Sequence, residues 1–451
     1  MHPLHDIVLQ DLRTDVVQMA EEGHDVAALQ REVEAARATG SFDALIRLQE
    51  ALWNRPSPPG FAYREPNDWP SIAAHFPDPE SHARFRGTDA DLADRLLAAW
   101  QGRCAGCQLG KPLEGPLWPH TIKSILQAVG SWPLTDYMNP PPQGVAVAAI
   151  PDCTFFEPGQ AWRSDLCRGR FDHVAPDDDI HYALVSQRVL EAHGSAFTAE
   201  QALAMLHQQA PISCLFAAGR NMFRTSVFGV PTPCTAVMGN PCRQSLGAQI
   251  RCDPFGWGAP ANPALAAQMA YRDATNSQIR NGIYSGIFFA VLLADTLAHG
   301  DPVRAIGTAS RYVPPHSRFA EMIRYMQAAC AAADDWEAIN TAMIARYHAE
   351  ANQFNHAIPN AAIVILGLLK GRGDFTRTLG ITVMAGLDTD CTGATVGSIL
   401  GCALGTAGIP STWTAPFHDT IRSQMRDMPE VRISEVARRM FEVARPHVRR
   451  A

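Results

Sequence analysis

The chain has 451 residues, of which 47% are hydrophobic, and its formal net charge is −7. This hydrophobic content is sufficient for a large buried core, so we expect a globular protein. Basic and acidic residues are interspersed, which excludes the basic surface of a nucleic-acid-binding or anionic-membrane-binding protein. The eleven scattered cysteines are an odd number and predict reduced thiols instead of a disulfide framework.

The N-terminus shows no targeting pattern. Residues 1–6 lack the basic-then-apolar layout of a signal peptide. The most apolar stretch, residues 283–297, is too short to cross a membrane and contains Asp295. We therefore expect a soluble, cytoplasmic protein without a membrane partner.

Residues 1–86 are predicted to form a helical extension, and residues 87–451 the main domain. Residues 16–38 and 42–53 have helical periodicity and many charges, and the proline-rich residues 55–60 interrupt the pattern. No residue of the extension points to chemistry. It could serve for packing, as a lid over the edge of a site, or for contact with a partner.

The main domain begins with a helix that leads to an acidic residue. Thr88, with acidic residues in the first turn that follows, predicts a capped helix start, and the apolar face continues to Glu114. Cys104 and Cys107 have CxxC spacing, but no second pair at zinc-like spacing follows, so we interpret them as packing residues. The proline-rich residues 139–162 predict a loop that forms one wall of a pocket.

Three consecutive carboxylates, Asp177, Asp178 and Asp179, open the next apolar helix. Further helix starts are predicted by a capping box at Thr198 and by Asn-Pro and Asp-Pro pairs downstream. No alternating strand pattern competes with them. The sequence therefore predicts an all-α bundle with the acidic segments at one mouth.

A second acidic pair, Asp388 and Asp390, lies on a glycine-led turn within residues 386–397. Alone, such a pair could merely satisfy the N–H groups at a helix start. Two acidic groups at two helix starts are most easily tolerated when a hard divalent cation lies between them. The small residues Gly393 and Gly397 would let another helix pack closely behind the pair.

Three blocks in this order resemble the ADP-ribosylglycohydrolase family, which includes the dinitrogenase reductase-activating glycohydrolases. Residues 106–114 fit its Gly-x-x-x-Gly-x-x-x-Glu segment, residues 177–180 fall on its Thr-Asp-Asp-Thr block, and residues 386–391 fall on its Gly-x-Asp-Thr-Asp-Thr/Ser block. The Asp-Thr-Asp-Cys form of the last block is similar to one bacterial branch. Together the blocks and their flanks span residues 87–448.

The resemblance implies an ADP-ribosylglycohydrolase-like helical bundle that holds Mg²⁺ or Mn²⁺, with two ions the expected number. It implies a catalytic role for Glu114, which would orient or deprotonate the attacking water, with Asp178 and Asp179 contributing. The candidate metal ligands are Asp177, Asp178, Asp179, Asp388, Asp390 and Thr392. The candidate substrate-binding residues are Arg251, His356, Asn360, Gly393 and Thr395.

Two positions depart from the family pattern. Asp177 stands where the family has threonine, and we predict that it turns outward to cap its own helix; a protonated carboxyl, or neutralisation by Arg168 or Arg170, is the alternative. Cys391 stands where the family has threonine or serine. Because sulfur is a poor ligand for Mg²⁺, we predict that it leaves the ion and that water or Thr392 takes its place.

Three functions fit these observations. The first is a metal-dependent hydrolase of a glycosidic bond to ADP-ribose or a related riboside, either a small molecule or linked to protein. The second is a hydrolase of a nucleoside-like metabolite, which would not need cations for a diphosphate. The third is a non-catalytic protein that binds ADP-ribose or regulates a partner.

Overall fold

The computed structural model describes residues 4–115, 117–140, 165–347 and 354–451. Most of the predicted loop at residues 139–162 lies outside the described residues, so its place beside a pocket stays a prediction. The described residues form twenty α-helices and one two-stranded hairpin. The predicted all-α class is confirmed.

The N-terminal extension is a small helical bundle with its own core. Its helices are α1 His5–Glu21, α2 Val26–Ala38, α3 Phe42–Trp53 and α4 Trp69–Ala73. Asp25 and Ser41 accept hydrogen bonds from free N–H groups at the starts of α2 and α3, which explains where these helices begin. Leu12, Leu45 and other apolar side chains of α1 to α3 bury one another separately from the main core.

The main domain contains the other sixteen helices. They are α5 Asp89–Gly110, α6 Pro119–Ala128, α7 Asp178–His193, α8 Ala199–Gln209, α9 Ala217–Val227, α10 Gly247–Arg251, α11 Asp253–Trp257, α12 Pro263–Ala274, α13 Asn281–His299, α14 Pro302–Ser310, α15 Arg318–Ala332, α16 Trp336–Tyr347, α17 Ala357–Lys370, α18 Phe375–Met384, α19 Thr389–Leu404 and α20 Ile433–Ala444. The capping boxes predicted at Thr88 and Thr198 are present. Local capping thus determines where α5 and α8 begin.

Helix α13 forms the centre of the main core. By length and composition it is the one described helix that could cross a membrane, yet 94% of its apolar window is buried inside the protein. An apolar helix buried in this way is typical of the core of a large helical protein.

A short hairpin is the exception to the helical pattern. Strands β1 Thr420–Arg422 and β2 Glu430–Arg432 pair antiparallel, with Ile421 opposite Val431. The sequence shows no alternating strand pattern at this point. Three-residue strands are too short to show an alternating pattern in the sequence.

Helices α5 and α19 pack against each other through glycine. A methyl group at Gly106 would lie 1.9 Å from the carbonyl oxygen of Gly393, and one at Gly397 would lie 2.0 Å from that of Gly102. The two backbones can approach this closely only because these residues have no side chain. The pairing is antiparallel, so the end of α5 lies beside the start of α19. The close packing predicted from the small residues is confirmed.

Candidate metal centre and active site

Three helix ends bring the acidic segments together. Glu114 follows the end of α5, Asp388 and Asp390 lie at the start of α19, and Asp177 to Asp179 lie at the start of α7. The hydroxyl of Thr389 donates to the carbonyl oxygen of Gly110 at 2.8 Å, which joins the first two ends. Glycine packing between α5 and α19 therefore determines the position of two of the three acidic segments.

The acidic cluster consists of Glu114, Asp177, Asp178, Asp179, Asp388 and Asp390. Within it, ligand atoms of three triads lie within 4.8 Å of one another: Glu114, Asp388 and Asp390; Asp179, Asp390 and Cys391; and Asp177, Asp178 and Asp179. Asp390 and Asp179 each belong to two triads, so the groups are contiguous. The predicted convergence of Glu114 with the four aspartates is observed.

Two buried oxygens of the cluster have no hydrogen-bond partner, namely Oδ2 of Asp179 and Oδ1 of Asp388. A buried carboxylate oxygen without a partner is costly unless a cation or a proton compensates it. Mg²⁺ and Mn²⁺ prefer oxygen ligands of this kind. The cluster thus fits a hard divalent ion.

Burial and mutual repulsion shift the pKa values of the cluster in the metal-free protein. Burial, followed by the neighbouring carboxylates, holds the pKa of Asp178, Asp179 and Asp388 well above its usual range. The charge of Asp390, followed by burial, raises the pKa of Glu114 to about 9. A bound cation would reverse this balance and release protons.

Asp177 differs from its neighbours because it is paired with Lys111. Its side chain accepts a hydrogen bond from the N–H of Asp179 at 2.8 Å, which caps α7, and its other oxygen forms an ion pair with the Lys111 ammonium. Burial opposes ionisation of Asp177, but Lys111 holds its pKa below the usual value. The predicted cap is observed, whereas its outward direction is wrong, because the buried lysine holds the carboxylate inside.

Lys111, not Arg168 or Arg170, is the cation that compensates Asp177. Arg168 instead pairs with Asp136 at 3.2 Å. The lysine leaves Asp177 less available to a metal than its neighbours, although the ligand role stays a prediction.

Arg103 is a further buried cation that sequence reasoning missed. Its guanidinium donates to the carbonyl oxygen of Asp179 at 2.6 Å and to the Asp253 carboxylate at 2.6 Å, and it lies 3.3 Å from Oδ1 of Asp179. It therefore fixes the first turn of α7 from within α5. The signal in the sequence is a single arginine within a run of small and apolar residues. Helical periodicity alone does not show what this arginine binds.

Cys391 stays beside the acidic cluster. Its sulfur belongs to the triad with Asp179 and Asp390. Burial and these carboxylates raise the pKa of the thiol well above its usual value, so it remains protonated. The hydroxyl of Thr392 donates to the carbonyl oxygen of Asp388 at 2.9 Å, inside its own helix. The departure of the sulfur from the ion and the ligand role of Thr392 both stay predictions.

The cluster opens into a cavity of about 250 Å³. Glu114, Asp178, Asp388 and Cys391 lie in its lining, which apart from Tyr182 and Asn355 is otherwise small or apolar and includes the half-exposed Phe216. None of its described lining residues is a lysine or arginine. The cavity therefore combines acidic groups on one side with an apolar surface on the other.

Tyr182 is a lining residue that sequence reasoning did not assign. Its hydroxyl is buried and has no hydrogen-bond partner, although the cavity lies beside it. The guanidinium of Arg251 lies 5.6 Å from the centre of its ring. A tyrosine three positions beyond an aspartate run carries no sequence signal of its own, because its orientation depends on the packing of α7.

The substrate-binding candidates Arg251, Gly393 and Thr395 have internal partners. Arg251 donates to the Asp273 carboxylate at 2.7 Å and to the Ser277 hydroxyl at 2.8 Å. Gly393 lies in the second turn of α19, where N–H groups bond within the helix, and its backbone contacts α5. Thr395 accepts from the Gln249 amide at 3.2 Å. This packing lends no support to phosphate binding by them, and their roles stay predictions.

The other two candidates lie at the start of α17. Asn360 accepts a hydrogen bond from the backbone N–H of Asp388 at 3.2 Å, so it supports the acidic turn. His356 is buried and pairs with Glu21 of the extension at 2.7 Å instead of lining the cavity. His181 of α7 accepts a hydrogen bond from the N–H of Gln424, and burial lowers its pKa to about 4.

Comparison with known proteins gives one family and one fold. The family model for ADP-ribosylglycohydrolase matches residues 88–446. A solved structure described as an "ADP-ribosylglycohydrolase-related protein complex" is similar with a TM-score of 0.50 and 18% identity, over 79% of this chain and 99% of that one. A search of curated proteins finds no match. The match over most of the chain, on a helical fold with converging acidic segments, shows that this protein belongs to the ADP-ribosylglycohydrolase family.

Proposed function

We propose that this protein is a metal-dependent hydrolase that cleaves an N- or O-glycosidic bond of ADP-ribose conjugates or of a related riboside. Family membership points to a glycohydrolase. The observation that carries the finer proposal is the buried acidic cluster, with unpartnered oxygens of Asp179 and Asp388, beside a cavity. The substrate is a small molecule or an ADP-ribosyl group attached to protein.

Four aspartates would hold the ion or ions: Asp178, Asp179, Asp388 and Asp390. A bound Mg²⁺ or Mn²⁺ would orient the ribose hydroxyls and lower the cost of gathering these charges. Asp177 is excluded from this set because Lys111 already compensates it. Arg103 and Asn360 would hold two ligand-bearing turns in place, through Asp179 and Asp388 respectively.

Glu114 is the residue that we assign to the chemical step. It lines the cavity next to Asp388 and Asp390, where a water molecule could reach both the carboxylate and the substrate. Glu114 would take a proton from this water as its oxygen bonds to the anomeric carbon and the bond to the departing atom breaks, and Glu114 would then pass that proton to the departing atom. The transition state resembles an oxocarbenium ion, and nearby carboxylates stabilise its positive charge.

A second candidate, hydrolysis of a smaller nucleoside-like riboside, is favoured by the lining of the cavity. The described lining residues provide no lysine or arginine for a diphosphate. The volume of about 250 Å³ also lies at the lower end for ligand pockets. It suits a ribose with its leaving group, and a diphosphate would have to extend beyond Phe216.

We also propose a cytoplasmic location. All ten cysteines in the described part of the chain are free thiols, including Cys104 and Cys107, which are buried within α5. Free thiols in this number suit a reducing compartment. Fractionation of cells that express the protein would test this proposal.

The experiment is a turnover assay of the wild type and of Glu114→Gln. Substrates are ADP-ribosylated protein, O-acetyl-ADP-ribose and a panel of ribosides, each with Mg²⁺, Mn²⁺ or chelator. We expect metal-dependent ribose release by the wild type and a loss on the order of a thousandfold in the variant. Preference for simple ribosides would favour the second candidate. Binding of ADP-ribose without any turnover would support the non-catalytic alternative and contradict the proposal.

A further inference from the structure

One wall of the cavity is made of two short backbone segments that pair with each other. These wall segments are residues 245–247 and 354–355, both of which line the cavity. The N–H of Leu246 donates to the carbonyl oxygen of Asn355 at 2.9 Å, and the N–H of Ala357 donates to that of Gln244 at 3.1 Å. The pairing is a single antiparallel bridge outside any sheet. Such an isolated bridge needs support from its surroundings to remain in place.

The end of α1 supports the first wall segment. Asp15, which is fully buried, forms an ion pair with Arg243. Glu22 accepts a hydrogen bond from the side-chain amide of Gln244 at 3.2 Å. Two acidic residues of the extension thus bind the two residues that precede the wall segment.

Glu21 supports the second wall segment through His356. Nδ1 of His356 accepts from the N–H of Ile358 at 3.2 Å, so Nε2 is the ring nitrogen that faces the extension. Nε2 lies 2.7 Å from the carboxylate of Glu21, and Arg318 lies 3.6 Å from the same oxygen. All three side chains are largely buried, so water does not replace these contacts easily.

We propose that the N-terminal extension supports the substrate site from behind its wall, and that Glu21 is a positioning residue which fixes the cavity wall through His356. This inference rests on the proposed function in so far as the cavity holds the ribosyl substrate. Loss of the Glu21 charge would leave the imidazole without its partner and free residues 354–357 from the extension. The cavity would then lose its shape, while the acidic cluster on the opposite side would remain.

The test compares Glu21→Gln with His356→Asn. Asparagine is a good helix N-cap, so this second variant keeps the cap of α17 and removes only the contact with Glu21. Glu34→Gln is the matched control, because Glu34 forms an exposed pair with Arg37 on the same small bundle. Hydrogen exchange of peptides that cover the wall segments is measured together with KM, kcat and ADP-ribose binding.

We expect amide exchange in the wall segments to rise by about tenfold or more in Glu21→Gln and His356→Asn, and not in the control. KM or the Kd for ADP-ribose should rise by about tenfold, with kcat within about threefold of the wild type. The double variant should add little to either single one, because both remove the same contact.

Unchanged exchange in the wall segments of both single variants would overturn the inference. A fall of kcat with an unchanged KM in both single variants would also overturn it, because a loosened wall should weaken substrate binding before it slows the chemical step. If the wild type neither binds ADP-ribose nor cleaves any riboside, the proposed function fails. The exchange measurement still decides on the positioning role of Glu21 in that case.

Discussion

Two buried groups of charges in this protein differ in how far cations compensate their carboxylates. The acidic cluster has six carboxylates, and of the cations around it Lys111 pairs with Asp177 while Arg103 is shared with Asp253. The N-terminal charge cluster has four carboxylates facing three guanidinium groups and one imidazole: Asp15, Glu21, Glu22 and Glu65 with Arg243, Arg280, Arg318 and His356.

This difference in charge compensation distinguishes a ligand site from a structural contact. In the N-terminal charge cluster, Glu65 receives two charge-assisted hydrogen bonds from the side chain of Arg318, at 2.9 and 2.8 Å, and is neutralised internally. In the acidic cluster, burial and then repulsion raise the pKa of most carboxyl groups, and no ion pair among the described residues reaches Asp178, Asp388 or Asp390. Buried acids alone do not indicate a metal site, whereas uncompensated ones do.

The largest expected effect is on turnover in Asp388→Asn. Loss of one anionic ligand should reduce metal-dependent activity on the order of a thousandfold. The melting temperature of the metal-free variant should not fall below that of the wild type, because repulsion within the cluster is relieved. Assays at saturating Mn²⁺ and scanning calorimetry with chelator measure the two effects. Full activity together with a lower melting temperature would show that Asp388 is structural.

Asp15→Asn in the N-terminal charge cluster should have the opposite effect on the stability of the metal-free protein. This substitution leaves Arg243 buried and only weakly compensated by Glu22 at 3.8 Å. It should destabilise the protein by about 3 kcal/mol, as measured by chemical denaturation without metal. Asp43→Asn is the control, because Asp43 forms an exposed pair with Arg47. We expect almost no change in stability for this variant. Equal stability of the two variants would remove the distinction between the clusters.

The stability of the metal-free protein should decrease as pH rises. The folded-state pKa of Glu114 is about 9, above its unfolded value near 4.5. The folded protein therefore binds more protons between these values, and the stabilisation present at acidic pH is lost as pH rises through this window. The loss should be about 4 kcal/mol between pH 5 and pH 8, and Mn²⁺ should restore it mainly at the higher pH. Metal-free stability that rises over this range would contradict the proposed repulsion.

The smallest effect is expected for Cys391→Thr. The thiol is protonated and lies beside Asp179 and Asp390, where a hydroxyl can donate in the same way. Activity with Mg²⁺ should stay within about threefold of the wild type or increase, because oxygen suits this ion better than sulfur. Steady-state assays with Mg²⁺ measure the effect. If turnover disappears in a folded variant, the thiol itself is required as a ligand or nucleophile.

Sequence reasoning anticipated the features that local rules control. Thr88 and Thr198 marked helix starts through capping, and Gly393 and Gly397 of α19 indicated close packing. The resemblance, combined with the mutual repulsion of adjacent aspartates, brought Glu114 and Asp388 into one site. These signals extend over a few residues or recur with the helical repeat, so the sequence shows them directly.

Contacts between distant residues could not be predicted in the same way. Lys111 pairs with Asp177 across 66 positions, and Glu21 pairs with His356 although they lie in different parts of the fold. Arg251, expected to meet a phosphate, instead binds Asp273. A charged residue has the same appearance in the sequence whether its partner is a ligand or another side chain, and only the packing of helices decides between them.

Titration calorimetry of Mn²⁺ into the metal-free wild type and into Asp390→Asn tests the central claim most directly. Asp390 belongs to two of the three ligand triads, so its substitution disturbs the site more widely than that of Glu114. We predict that the wild type binds Mn²⁺ with release of protons, and that affinity falls by about a hundredfold or more in the variant. A wild type that does not bind Mn²⁺ or Mg²⁺, or a variant with unchanged affinity, would contradict the assignment of the acidic cluster as a metal centre.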